Sequence, residues 1–354
     1  ALRLNHHAFA TRVLYHETAL SRPLEEVARE ISELADAALE VALEQAYETL
    51  RSKRGLTRAE DFRLCVIAMG KHGAQELNYS SDIDLIFVYD GAGPGRMDAQ
   101  TFAVKLVETL IPLLDSVTEQ GHVFRVDTRL RPEGKRGRLA RRFESTVEYY
   151  YSFGSTWERQ ALIKARACAG DLALGEQLIE RLQGWVYRKY LTIEEINQIK
   201  SLKRRIEQRT EQRDEQFTDV KTGFGGIRDI EFVTQFLQLM NGGRVSEVRV
   251  RATLPALEKL TAAGALKPAE AQTLAAAYRF LRGVEHRLQV WDDAQTHTVP
   301  AVPAELIRLG RAMGYRGNQL MDPARKLVHD LQVHTMKARG LMLRLFADLF
   351  DNQG

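Results

Sequence analysis

Apolar positions recur along this chain in two rhythms. From Leu24 to Leu50, Val27, Ile31, Leu34, Ala38, Val41 and Leu43 return at helical spacing with acidic residues between them, which predicts an amphipathic helix. Arg51 to Asp61 is charged, carries Gly55 and predicts a loop. Leu64-Cys65-Val66-Ile67-Ala68-Met69 is a short apolar run stopped by Gly70, the pattern of a strand buried on both faces. A second run, Ile83 to Tyr89, opens with Asp82 and Asp84, and Gly91-Ala92-Gly93-Pro94-Gly95 after it marks a loop. Phe102, Leu106, Leu110, Leu113 and Val117 predict a helix kinked at Pro112 and ended at Gly121. His122 to Leu130 alternates, with Phe124, Val126 and Leu130 opposite Arg125, Asp127 and Arg129, and predicts a third strand.

Beyond about residue 140 the strand pattern stops and helical patterns follow one another. Leu178, Leu182, Val186 and Tyr190 mark one, and Ile193, Ile196, Ile199, Leu202 and Ile206 the next. A third follows Gly225-Gly226, with Ile227, Ile230, Val233, Leu237 and Met240 inward, and Leu274, Tyr278, Leu281 and Leu288 mark a fourth. The last runs from Asp322, an N-cap with Pro323 after it, to about Phe350. The fold class expected is α+β: a helical lead-in over 1–55, a small mixed-sheet core flanked by helices over 56–170, and an all-helical bundle over 171–354.

Composition narrows the classes. A net charge of +3 from 50 basic and 47 acidic residues gives no reason to expect a nucleic-acid surface. Two cysteines, Cys65 and Cys168, cannot build a disulfide framework, which suits a reducing, cytoplasmic setting. No apolar run reaches the roughly 20 residues that span a bilayer, so no membrane partner is expected. The sequence starts at Ala1 without a methionine, which leads to the expectation of a piece of a longer polypeptide.

The chemistry concentrates at the second strand. Residues two apart share a face, so Asp82 and Asp84 project together while Ile83, Leu85 and Phe87 face the other way. Two such carboxylates repel unless a cation compensates, and a divalent metal is the simplest one. Asp127 would join them if the third strand neighbours the second, and three carboxylates could hold two metals for an in-line phosphoryl or nucleotidyl displacement. Gly70 would let the backbone approach a phosphate, and Ser80 and Ser81 add hydroxyl donors. The arginines near Asp127 leave open that it is a salt-bridged structural acid.

These residues carry a resemblance. Gly70, then Ser81-Asp82-Ile83-Asp84-Leu85, then a lone Asp127 resembles the nucleotidyltransferase superfamily typified by DNA polymerase β. Met69-Gly70-Lys71, Glu76-Leu77-Asn78, Val126-Asp127-Thr128-Arg129-Leu130-Arg131-Pro132, Trp157-Glu158-Arg159-Gln160-Ala161 and Gly225-Gly226-Ile227-Arg228-Asp229-Ile230-Glu231-Phe232 are similar to the bifunctional glutamine synthetase adenylyltransferase/adenylyl-removase family. The resemblance implies a nucleotidyltransferase core, with Asp82, Asp84 and Asp127 as catalytic residues and ligands of Mg2+ (two ions, Mn2+ an alternative). It also implies one half of a two-half polypeptide, acting on glutamine synthetase and answering to the PII signalling protein. Arg159, Lys164-Ala165-Arg166, Val186-Tyr187-Arg188-Lys189-Tyr190 and Arg228 favour the half that removes AMP from a tyrosine, using inorganic phosphate and giving ADP. The transferase half, which attaches AMP from ATP, is the rival; a silent PII-responsive module is another, and a template-directed polymerase a distant one. The family turn has Leu and Gly where this chain has His72 and Ala74, and His72 is expected to be solvated.

Phosphate needs cations. Arg129 is the first choice because alternation puts it on the face of Asp127; Arg131 is beside it, and Lys164 and Arg166 are expected on a helix. Each could instead pair with Glu133, Glu158 or Asp171. Gly223-Phe224-Gly225-Gly226 before a helix resembles a phosphate cradle, with Arg228 as its cation and Asp229 and Glu231 complementing the helix dipole. Lys203-Arg204-Arg205 with Arg209 and Arg213 is expected to be a solvated helix face.

Overall fold

The computed structural model describes residues 2–55, 60–190, 192–211, 218–292, 296–317 and 322–351. Contacts divide them into two compact units, 1–77 with 81–188, and 78–80 with 189–354. In the first unit α1 (Leu2–Ala19) and α2 (Leu24–Arg54) precede β1 (Arg63–Met69), the one-turn helix α3 (Gly70–Gly73), β2 (Ile83–Asp90) and α4 (Ala99–Asp115). Then come β3 (Val126–Asp127), β4 (Ala140–Arg142), α5 (Phe143–Phe153), α6 (Thr156–Leu162), β5 (Arg166–Gly170) and α7 (Leu172–Val186). The expected boundary at 171 falls just before α7, which packs on β1 and β5 within this unit.

The sheet is mixed, in the order β3-β2-β1-β5, with β4 also on β2. β1 runs antiparallel to β2 and to β5; β3 and β4 run parallel to β2, β3 at Ile83 and Asp84 and β4 at Phe87 to Tyr89. β1 and β2 are buried almost throughout, as their unbroken apolar runs require. The third strand is shorter than the alternation from His122 to Leu130 predicts, because only Val126 and Asp127 pair before β4 takes over the edge of β2. β4 and β5 lie beyond residue 140, where no strand is expected. β4 has three residues, and β5 is small because α7 lies close: a Cβ on Gly175 would stand 2.4 Å from Cys65 Sγ and 2.6 Å from the Ala167 Cβ. Arg166 therefore opens a strand, not a helix.

α2 overruns its expected end and stops at Gly55, whose φ of 61° allows the left-handed cap. Leu39 and Ala42 are buried on it where Val41 is exposed. α4 continues through Pro112 and ends at Asp115, while Gly121 belongs to a separate turn with Thr118.

The second unit contains α8 (Ile193–Glu211), α9 (Ile227–Asn241), α10 (Thr253–Ala262), α11 (Pro268–Asp292), α12 (Pro303–Ala312) and α13 (Pro323–Asp351). Its core gathers Ile230, Val233, Leu237, Leu257, Leu281 and Leu327. Asp322 caps α13 as expected, accepting from Arg325 N at 2.8 Å, whereas α10 and α12 are short helices that the sequence pattern leaves out. Tyr190 lies outside α7 and is exposed. Arg213 and the side chains of Ile206 and Arg209 lie outside the described residues. Among the described residues no helix is long and apolar enough to cross a membrane.

Candidate functional site

Parallel pairing of β2 and β3 sets Asp84 directly across from Asp127. Paired residues share a face of the sheet, so both carboxylates project on the same side. Asp84 also lies opposite Met69 in the β1 pairing, which brings Gly70 beside it. A Cβ on Gly70 would stand 2.6 Å from Asp84 Oδ2, and its φ is 54°, so glycine is required twice over. Asp82 precedes the strand by one residue.

Arginines accompany Asp82 and Asp127. Arg125 Nε donates to Asp82 Oδ1 at 2.7 Å. Asp127 accepts from Arg129 N at 2.8 Å on Oδ1 and from Arg129 Nε at 2.7 Å on Oδ2, with a further contact from Nη2. Burial pushes the Asp127 carboxyl up, but the Arg129 guanidinium and backbone N–H outweigh it and hold it below the usual range. Arg129 itself is 65% exposed, so its head group is free to exchange partners with solvent. Arg125 is a residue that the sequence reading does not single out, although alternation placed it on the face of Asp127.

The remaining candidates separate. Arg131 is buried and staples its own loop, donating to Gly137 O, Lys135 O and both oxygens of Thr128. Lys164 is buried and donates to Glu76 Oε2 at 3.0 Å. Ser81 belongs to the first unit and Ser80 to the second, where Ser80 N donates to Gln289 Oε1 at 3.1 Å. Two residues earlier, Asn78 Oδ1 meets Arg282 Nη2 at 2.5 Å and His286 Nε2 at 2.9 Å.

Arg228 is exposed on the first turn of α9 in the second unit. The turn before it is not an open cradle. Gly225 N donates to Asp229 Oδ2 at 2.8 Å, and the amides of residues 226 to 229 bond to carbonyls of the same turn. Gly225 is there for packing, since a Cβ would stand 2.0 Å from Thr335 O. Asp229 also accepts from Lys203 Nζ at 2.9 Å, so Lys203 is a buried partner and not part of a solvated face; Arg204 and Arg205 are exposed.

His72 corrects another expectation: it is fully buried, not solvated, with Nε2 at 2.7 Å from Asp36 Oδ1 of α2. Burial lowers its pKa, against the pull of the Asp36 carboxylate. Arg166 forks onto the same carboxylate at 2.8 and 2.9 Å. Burial raises Asp36, but the His72 and Arg166 hydrogen bonds prevail and hold it below the usual range. With Cys168, Asp36 and His72 place one donor atom each within 4.8 Å of one another, a set with two buried members that could hold a metal ion. The Arg166 fork already supplies a cation to Asp36, which argues for an ion-pair network there. In the sequence Ser32, Asp36 and Glu40 fall at four-residue spacing on α2, next to the apolar Ala28, Ala35 and Leu39 that the helix buries.

The donor chemistry of Asp82, Asp84 and Asp127 fits a small hard cation: oxygen ligands only, partly open to water. Glu158 on α6 reaches back to Ser155 N at 2.8 Å, and the Arg159 guanidinium lies 4.9 Å from the Trp185 ring centroid.

Comparison with known proteins adds a separate finding. A family profile described as Glutamate-ammonia ligase adenylyltransferase matches residues 1–181, and one described as GlnD PII-uridylyltransferase matches residues 197–346. The chain is similar to the "Bifunctional glutamine synthetase adenylyltransferase/adenylyl-removing enzyme" of Xanthomonas axonopodis pv. citri, 39% identical over 323 residues, 89% of this chain and 34% of that protein. Proteins of the same description from Hahella chejuensis (41% over 324 residues, 89% and 34%) and Nitrosococcus oceani (41% over 314 residues, 86% and 32%) are similar too. The chain spans about a third of the length of these relatives.

Proposed function

The chain belongs to the glutamate-ammonia ligase adenylyltransferase family, and on that premise we propose that it is the deadenylylating half of a longer polypeptide. Its reaction is phosphorolysis of the AMP–tyrosine bond of adenylylated glutamine synthetase. The observation that supports its nucleotidyl-transfer chemistry is the register of Asp84 with Asp127, closed on one side by the bare Cα of Gly70.

Inorganic phosphate attacks the α-phosphorus, a new P–O bond forms, the bond to the tyrosyl oxygen breaks, and ADP and free tyrosine result. The leaving phenolate has a pKa of about 10 and takes its proton from water, so no strong general acid is needed. Asp82, Asp84 and Asp127 would hold the divalent cation, Mg2+ or Mn2+, which supplies electrostatic stabilisation of the entering and leaving oxygens. Arg129 is the cation for the incoming phosphate: its guanidinium sits on Asp127 and presents a planar fork to an oxyanion when it turns away. Arg131 keeps the loop that carries Arg129 in one shape, and the buried Lys164–Glu76 pair fixes the segment after α3. Arg228 is kept as a cation for the adenylyl or phosphate group. A PII-type partner completes the proposal, on the likeness of residues 197–346 to a PII-uridylyltransferase profile.

The family description, an adenylyltransferase, favours the opposite direction as the second reading. The purified chain with Mg2+ separates them. Release of ADP from adenylylated glutamine synthetase and phosphate supports removal; consumption of ATP to modify the unmodified enzyme reassigns the chain to attachment.

A further inference from the structure

Helix α3 is a single turn, too short to be stable through its own hydrogen bonds, yet Gly70 at its start lies against Asp84. What fixes it comes from its neighbours. From α2, Ser32 Oγ accepts from Leu77 N at 3.3 Å, and Asp36, one turn on, holds His72. From β5, Arg166 grips both oxygens of Asp36 and donates to His72 O at 3.3 Å. Gly73 has no lateral freedom, since a Cβ there would stand 1.9 Å from Lys164 O and 2.5 Å from Ala68 O.

We infer that Asp36, His72 and Arg166 are positioning residues, a brace around the buried His72 that holds the Gly70 turn against Asp84 and so sets where that carboxylate meets a divalent cation. The inference rests on the carboxylate reading above. None of the three belongs to the carboxylate set itself. A carboxylate between an imidazole and a guanidinium satisfies its bonds in one arrangement only, whereas apolar side chains in the same place would tolerate sliding. A slide at Gly70 matters because Asp84 Oδ2 occupies the space a Cβ would need. Contacts that orient a metal ligand from outside are typically worth about 10- to 100-fold in metal affinity. The competing use of the same residues is a metal ion held by Asp36, His72 and Cys168.

Mn2+ binding to the chain, read from the EPR signal of free Mn2+ without any turnover, tests the brace, with circular dichroism reporting the fold of each variant. The expected pattern is loss of binding in Asp84→Asn and about tenfold weaker binding in Asp36→Asn and His72→Ala. His72→Gln, whose amide still donates to Asp36, recovers most of the affinity. If Asp36→Asn does not fold, the His72 pair decides. Folded Asp36→Asn and His72→Ala chains that bind Mn2+ as tightly as the parent overturn the brace and leave the carboxylate reading standing. Binding that survives Asp84→Asn but is lost in Asp36→Asn puts the ion at Asp36, His72 and Cys168 and overturns both. A parent chain that binds no Mn2+ overturns the metal reading and the brace with it.

Discussion

Gly70 meets two demands that no other residue type meets together, a φ of 54° and a carboxylate oxygen 2.6 Å from where a Cβ would stand. Gly70→Ala should cost about 1–3 kcal/mol of stability from backbone strain, measurable by thermal unfolding. It should also abolish turnover, because relief of the clash moves Asp84. Arg129 stands at the other extreme. It is 65% exposed, so losing its pair with Asp127 in Arg129→Ala should cost no more than about 1 kcal/mol of stability by thermal unfolding. Steady-state kinetics should show a raised KM for phosphate, and an unchanged KM would remove Arg129 from the site. The two carboxylates were legible as residues because an aspartate pair at the head of an apolar run has no core use. Arg131 and Lys164 were not: in sequence a buried staple and a buried ion pair look the same as phosphate-binding cations, and only burial separates them.

At the scale of elements, the long periodic ones were readable. α2, α4, α9 and α11 bury continuous stripes, and β1 and β2 are apolar throughout. β3 was readable as a strand though not in its length, and β4 and β5 were not readable, since three paired residues carry no period and β5 is made of small residues that α7 requires. That loss mattered for the site, because β5 places Arg166 on Asp36 and thereby joins α2 to α3. This junction has a pH signature. Folding holds His72 below its unfolded pKa of about 6.5 and Asp36 below about 3.9. In both cases the unfolded chain binds more protons within the shifted window, so stability falls as pH drops. Loss from His72 begins below about pH 6.5, and loss from Asp36 follows below about pH 4. Urea unfolding of His72→Gln between pH 7 and 5 should show a flatter dependence than the parent chain; an equal slope would mean that His72 contributes nothing to it.

At the scale of the molecule, the order of a small mixed sheet followed by helices was legible from the change of rhythm near residue 140. Three residues were not: Asn78 to Ser80 group with the helical unit, because Asn78 is held by Arg282 and His286 and Ser80 by Gln289, partners more than 200 residues away in sequence. The proposed reaction is defined by which bond is made and which is broken. Incubating the chain with Mg2+, adenylylated glutamine synthetase and 32P-labelled inorganic phosphate tests it most directly. Label should appear in the β-phosphate of ADP, and none should appear with Asp84→Asn or Asp127→Asn. Unlabelled AMP as the product, or labelled ADP that persists in both variants, would contradict it.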